Sequence, residues 1–393
     1  MKVILVHNYY QLPGGEDRVF AQERALLRSY GHDVITYERS NNEVLGYSPL
    51  ARLRLPTRTV WAKDSYRDVL ELLRVERPQV VHVHNTFVQV SPSIFAACRD
   101  AGVPVVLSLH NFRLLCPSAT FFRDGKICED CRESGLWQSV RHACYRHSRC
   151  ATATIAIMLA VHRRARTWLD GVTTFIAMSD FARRKFSEGG LPCAKLTVKP
   201  NFVYPDPGER GVSGDGAVFV GRLSPEKGLR SLLRAWDLLR VPVPLQIVGD
   251  GPLRAELEQM AYGRRLSQVT FLGHMSHADT QAVIKNARFL VLPSECYENF
   301  PLTLIESLSC GTPVICSRLG AMQEVVADGG TGIHFTPGSP EDLAEKVAWA
   351  WEHPQQTKDM GKAARREYEQ KYTAERNYES LMSIYHHAVV ASR

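Results

Sequence analysis

Two carboxylates and two cations carry the most chemistry in this chain of 393 residues. Glu298 and Glu306 stand eight positions apart in "ECYENFPLTLIE" (295–306). Acids so spaced could cover a helix surface, hold a metal, or grip one ligand from two sides. Neither His nor Cys is spaced to complete a metal site with them, and Cys296 and Cys310 read as packing residues. Glu306 falls among Leu304, Ile305 and Leu308, where an unpaired carboxylate is costly, so it needs a polar partner. Arg222 and Lys227, in "VGRLSPEKG", offer a guanidinium fork and an ammonium point charge that can grip a pyrophosphate, at about 1.5–3 kcal/mol per charge-assisted hydrogen bond. Cations at a helix amino end oppose the macrodipole, and a bound anion relieves that.

These residues are positioned by a regular rhythm. Apolar runs such as "KVILVHN", "HDVITYER", "VVHVHN" (80–85) and "VPVVLSLHN" (103–111) alternate with helical patterns such as "EDRVFAQERALLRSYG". That alternation predicts parallel strands with helical crossovers, an α/β doubly wound fold. The stretch "NFVYPDPGERGVSGDG" (201–216), rich in Pro, Gly and Ser, reads as an interdomain linker. A second series follows it: "AVFVGR", "PLQIVGDG", "VTFLG", "ARFLVLPS", "TPVICS" and "GIHFTPG". The expected division is a Rossmann-like domain over 1–203, a second over 204–374, and a C-terminal helix over 375–393 that packs back on the first. Two such domains would face each other across a cleft at the carboxyl ends of their sheets, where ligands bind.

The motifs therefore belong just after strands. Gly14 and Gly15 follow the first strand; a paired-glycine turn lets backbone approach a ligand and offers free N–H groups to an anion, though it serves equally as a plain turn. Gly249, in "VGDGP", and Gly273 to Met275, in "FLGHM", end two later strands. Pro301 fits the first helical position of "PLTLIESLSC", closed by Gly311, which leaves Glu298 in the loop and Glu306 about a turn and a half into the helix.

The combination of E-x7-E in "ENFPLTLIE", R-x4-K in "VGRLSPEKG", "VGDGP", "CGTPVI", the glycine turn and "SLHN" (108–111) resembles the retaining nucleotide-sugar glycosyltransferases of family 4, which have the GT-B architecture. The resemblance spans essentially the whole chain. It implies that Glu298 contacts donor-sugar hydroxyls, that Glu306 takes the ribose hydroxyls, and that Arg222 and Lys227 hold the diphosphate, helped by backbone N–H groups around Phe300, Leu302 and Thr303. Pro301 stands where the family commonly has Gly, which removes one N–H donor. His110 matches a family histidine near the transferred sugar. His84, Asn85, Ser179, Arg183 and Asn201 match positions on the acceptor side. The implied reaction retains configuration by front-face attack, with no protein general base and no catalytic metal. The donor is of the UDP or GDP type and the acceptor a saccharide or a lipid-linked glycan, as in cell-surface polysaccharide synthesis.

Half of the ten cysteines lie in an insert over 112–150. Cys116, Cys128, Cys131 and Cys144 supply one C-x2-C pair and two outlying thiols, with Cys150, His142 and His147 as alternates, so a structural zinc ion and a packed, reduced loop both stay open.

Net charge is +7, and residues 1–205 hold 28 Lys and Arg against 18 Asp and Glu. A basic half suits an anionic membrane face, and "RRARTWLDGVTTFIAMSDFARRKF" (163–186) reads either as a membrane-surface segment or as core with a solvated basic side. With no apolar run of the roughly 20 residues that span a bilayer, a cytoplasmic protein is expected, in peripheral contact with the inner membrane face and with no nucleic-acid partner. A nucleotide-sugar 2-epimerase of the same architecture and a non-catalytic binding protein are the rival readings, and the missing G-x-G-x-x-G disfavours an NAD enzyme.

Overall fold

The structure, a computed structural model, describes residues 1–12, 14–211 and 214–392. Pro13 of the glycine turn, Val212 and Ser213 of the expected linker, and Arg393 lie outside the described residues. The chain divides into two compact units: Met1–Phe121 with Cys128–Pro200 and Asn377–Arg393, and Asn201–Arg376 with Phe122–Ile127. The first boundary falls at 200 rather than 203 because residues 201–203 are tied to the second unit. There the Val203 N–H donates to the Tyr372 carbonyl at 3.4 Å, and the Tyr368 hydroxyl donates to the Val203 carbonyl at 3.4 Å. The insert is divided as well, its hairpin counting with the second unit.

Unit 1 contains strands β1 (Lys2–Tyr9), β2 (Asp33–Ser40), β3 (Val80–Val83) and β4 (Val105–Leu109). After the hairpin strands β5 (Phe122–Arg123) and β6 (Lys126–Ile127) come β7 (Thr174–Ala177) and β8 (Leu196–Val198). They form one sheet in the order β2-β1-β3-β4-β7-β8, parallel throughout, with β5-β6 apart. The near-continuous apolar runs reflect burial on both faces, as parallel sheets require; Val3 to Val6 and Val80 to Val83 are all buried. The segment 163–186 is core. Trp168, Phe175, Ile176 and Phe186 are buried while Arg164, Arg166 and Arg184 are exposed, so its apolar residues are committed to the unit's interior.

Unit 2 contains β9 (Ala217–Val220), β10 (Leu245–Val248), β11 (Val269–Gly273), β12 (Phe289–Leu292), β13 (Val314–Ser317) and β14 (Gly332–Phe335). Its order is β11-β10-β9-β12-β13-β14, again all parallel. The chain winds outward in one direction from β9 and returns beside it as β12, so the gap between the carboxyl ends of β9 and β12 is the topological switch point, where ligands bind in such sheets. In unit 1 the equivalent point lies between β1 and β3. Trp236 anchors the second core, its indole N–H donating to the Val243 carbonyl at 2.9 Å.

Candidate functional site

The loops that leave β9 and β12 are joined to each other at the switch point of unit 2. Lys227 ends the 3-10 turn Pro225–Lys227, and its Nζ lies 2.6 Å from Glu298 Oε1 in the loop after β12. Ser294 Oγ donates to the same carboxylate oxygen at 2.6 Å, and the Glu295 N–H donates to the Glu226 carbonyl at 2.9 Å. Burial alone would raise the Glu298 carboxyl, but the Lys227 ammonium and the Ser294 hydroxyl hold it below its ordinary value; in turn Glu298 raises Lys227 against the opposing effect of burial. Glu298 is therefore an anion and Lys227 a cation at neutral pH. Arg222, five residues before Lys227, is exposed on the same loop.

Close backbone approach fixes the neighbouring loops. Gly249 has φ +130, and a Cβ there would sit 1.9 Å from the Gly221 carbonyl oxygen; its N–H donates to the Gly273 carbonyl at 2.7 Å. The loops after β9, β10 and β11 thus share one packed floor, with Gly273 itself at φ +73 and Met275 half-buried just beyond. Replacing Gly249 with Ala is expected to cost about 2 kcal/mol or more from the strained dihedral and the collision together, read as a lowered urea midpoint of unfolding.

Glu306 is buried in the helix Leu302–Ser309, and a polar group beside it is His277, with Nδ1 3.6 Å from Glu306 Oε1. His277 opens the helix His277–Asn286, and nothing in the sequence linked it to Glu306 across 29 residues. The helix after Pro301 begins one residue later than expected. Pro301 is the N-cap in extended backbone, with φ −71 and ψ 119, and its carbonyl accepts from the Leu304 N–H at 3.1 Å. The first amides of that helix, on Leu302 and Thr303, follow it, while Phe300 is buried beneath the loop. Asn201, expected on the acceptor side, belongs to unit 2: it is buried, and its Nδ2 donates to the Phe300 carbonyl at 3.5 Å, supporting that loop from below. Cys296 and Cys310 are buried, with thiols pushed up by burial, in keeping with packing.

Unit 1 brings a second set together. His110, after β4, places Nε2 3.0 Å from His84 Nδ1, and His84 Nε2 lies 3.4 Å from Glu23 Oε2. Glu23 is paired with the buried Lys199, Nζ to Oε1 2.6 Å. His82 completes the layer, bonded to Tyr385 at 2.8 Å and Ser108 at 2.8 Å. Desolvation lowers His84 and His110 well below the ordinary histidine range and takes His82 to about 4. All three are neutral at pH 7. Between His84 and His110 one ring nitrogen donates and the other accepts, which fixes the two neutral rings against each other. Among the described residues, Glu23, His82 and His84 form the group of potential metal ligands whose ligating atoms all lie within 4.8 Å of one another, but the Lys199 ammonium already neutralises its carboxylate.

Several expected roles change here. The Gly14 N–H is not free for a ligand: it donates to Asp17 Oδ2 at 2.8 Å, Gly14 is extended, and a Cβ there would meet nothing within 4 Å. Gly15 simply begins the helix Gly15–Ser29. Asn85 is buried and spent on backbone, donating to the Asn8 carbonyl at 2.6 Å and accepting from the Phe87 N–H at 3.0 Å. His84 is buried beneath His110 rather than open to an acceptor. Ser179 caps the helix Asp180–Glu188, accepting from the Ala182 N–H at 3.1 Å, and Arg183 pairs with Asp180 at 2.8 Å. In the insert, Cys116 and Cys131 are buried and Cys128 and Cys144 half-buried, and among the described residues no three of these cysteines have sulfurs all within 4.8 Å of one another. Burial, reinforced by Cys116 and Cys144, pushes the Cys131 thiol up to about 12.

Residues 14–201 match the family described as "Glycosyl transferase 4-like domain", and residues 214–367 match "Glycosyl transferases group 1". The chain is 38% identical over 159 residues to the D-rhamnosyltransferase WbpZ of Pseudomonas aeruginosa, covering 40% of this chain and 41% of that protein's length. It is 27% identical to the glycogen synthase of Mycobacterium tuberculosis over 93% of this chain and 89% of that one. Among solved structures, HepE of Anabaena in complex with UDP superposes with a TM-score of 0.69 at 18% identity, covering 98% of this chain and 99% of that one. The sucrose-phosphate synthase of Thermosynechococcus elongatus gives 0.71 at 18% identity, with 99% of each chain covered.

Proposed function

Because the chain belongs to the glycosyltransferases of the 4-like and group 1 families and has the GT-B fold, we propose that it moves a sugar from a nucleoside diphosphate sugar of the UDP or GDP type to a saccharide or lipid-linked acceptor, with retention at the anomeric carbon. The observation that carries this reading is the Lys227–Glu298 pair spanning the switch point of unit 2, with Arg222 exposed beside it. An ammonium already ionised and held by an anion costs little reorganisation when a diphosphate arrives, and such preset charge is what stabilises a leaving group.

In this reading Arg222 and Lys227 meet the diphosphate, and the amides of Leu302 and Thr303 add backbone donors. Glu298, oriented by Lys227 and Ser294, accepts from sugar hydroxyls. Glu306 accepts from the ribose, with His277 as its support. His110 offers its second ring nitrogen to a hydroxyl of the transferred sugar. The two cations supply the charge that a divalent ion supplies at other diphosphate sites, so none is invoked here. The departing phosphate takes the acceptor proton on the face of attack, and no side chain is assigned as general base.

Replacing Glu306 with Gln exchanges an anionic acceptor for a neutral amide and is expected to weaken nucleotide binding about tenfold, the lower range for a hydrogen bond to a charged group. Calorimetric titration measures it, and an unchanged dissociation constant would remove Glu306 from the ribose. The reading as a whole is tested by a thermal-shift panel of UDP, GDP, ADP and their sugars. A ligand at 100 times its dissociation constant adds about 2.7 kcal/mol. The preferred sugar nucleotide should then yield a glycoside on addition of acceptor; an epimerised sugar nucleotide without glycoside would contradict the proposal.

A further inference from the structure

Unit 1 exposes a patch of large apolar side chains that the catalytic reading does not use. Leu45, Leu50 and Leu53 are 68%, 59% and 77% exposed, and Trp61 is 41% exposed. They lie along the 3-10 turn Asn41–Gly46 and the short helices Pro49–Leu53 and Leu55–Val60. The path is stitched together by Arg52 Nη2 donating to the Leu45 carbonyl at 3.1 Å. It continues onto the helix Arg149–Arg164, where His162 Nε2 bonds the Val60 carbonyl at 2.7 Å and its ring stacks near Trp61, centroids 6.4 Å apart. On that helix Ile157, Ala160, Val161 and Arg164 are all exposed, at i, i+3, i+4 and i+7, which is one stripe facing out, while Ile155, Met158, Leu159 and His162 face the core.

Charge follows the same path. Residues 45–61 contain Arg52, Arg54 and Arg58 and no acid; residues 149–166 contain Arg149, Arg163, Arg164 and Arg166 and no acid. Arg58 and Arg166 are paired with Asp64 and Asp170, but Arg52, Arg54 and Arg164 are exposed beside the leucines and the stripe. A face that is apolar at its centre, with the exposed Arg52, Arg54 and Arg164 around it, matches an anionic bilayer surface: the side chains enter the headgroup boundary and the guanidinium groups stay with the phosphates. No helix among the described residues is long and apolar enough to cross a membrane.

We propose that this face of unit 1, centred on Leu50, Leu53, Trp61 and Ile157, docks the protein on an anionic lipid surface. The surface takes only Arg164 from the basic segment 163–186, whose Trp168, Phe175, Ile176 and Phe186 are buried, and it belongs to unit 1 whereas the donor loops belong to unit 2. The proposal rests on the glycosyltransferase reading only for its purpose, the delivery of a lipid-linked acceptor, and not for the binding itself.

Sedimentation with vesicles of phosphatidylcholine alone, or containing phosphatidylglycerol, tests it on the full chain. Binding is expected to the anionic vesicles at low salt and to fall as salt rises. An Arg52→Gln/Arg54→Gln variant should bind about thirtyfold more weakly, at roughly fivefold per surface charge. A Leu50→Gln/Leu53→Gln variant should lose retention at high salt, and since both leucines are exposed, neither change should disturb folding. Equal binding by wild type and both variants would overturn the proposal, as would no binding to anionic vesicles. A dimer in light scattering that dissolves on Leu53→Gln would also overturn it, because the face would then be taken by a second copy. Nucleotide titrations of the same variants should match wild type; a protein that binds vesicles but no nucleotide would retain this inference while losing the donor reading.

Discussion

Replacing Lys227 with Ala is expected to lower kcat/KM about a thousandfold, the upper range for losing one preorganised group that meets transition-state charge. Two effects combine. The diphosphate loses a cation at the switch point, and Glu298 loses the ammonium 2.6 Å away that keeps its buried carboxyl ionised. Glu298 then rises toward protonation, and a protonated acid is a poorer acceptor for sugar hydroxyls. Arg at 227 should restore part of the activity, because it supplies the charge with the wrong reach. Steady-state release of nucleoside diphosphate measures both variants. Activity of the Ala variant within tenfold of wild type would mean that the pair is structural and that the leaving group is stabilised elsewhere.

Acidification is expected to destabilise unit 1 steeply between pH 6.5 and 4. His82 titrates near 6.5 when unfolded but is held to about 4 in the fold, chiefly by desolvation. Above pH 6.5 both states are neutral and the stability is fully present. As pH falls below 6.5 the unfolded chain takes a proton that the fold refuses, which costs about 1.36 kcal/mol per unit and about 3 kcal/mol by pH 4 for this residue alone. His84 and His110 shift in the same direction, each partly through the others, so the slope should exceed that of one histidine. Urea melts at intervals from pH 7 to 4.5 would read it. Stability that stays flat across this range would mean that the three imidazoles are not held neutral.

The strands of both sheets up to β4 and from β9 onward were legible because a strand buried on both faces has to be a continuous apolar run bounded by turns. Strands β7 and β8 were not, since "TFIA" and "LTV" are too short to show any period and follow a basic stretch that also suits a membrane surface. The donor-side residues were legible as types and spacings, but not that Lys227 and Glu298 pair, because the adjacency of β9 and β12 is set by the sheet order. The partner of Glu306 was legible only as a need, because His277 reaches it through the packing of two helices. Asn85 and Asn201 were misplaced for another reason. An amide spent on backbone and an amide offered to a ligand look the same in sequence. A buried acid that could have been found is Glu23, which sits on the apolar face of its helix with Val19, Phe20, Leu26 and Leu27, a position that an ionised side chain holds only with a partner such as Lys199.

The central claim is that the two loops at the switch point of unit 2 hold the diphosphate of a sugar nucleotide. Calorimetric titration of UDP and GDP into wild type and into an Arg222→Ala/Lys227→Ala variant tests it most directly. The account predicts that wild type binds one of the two nucleotides, more tightly than the corresponding monophosphate, and that the double variant loses that preference for the diphosphate. Failure of wild type to bind either nucleotide, or equal binding by the double variant, would contradict it.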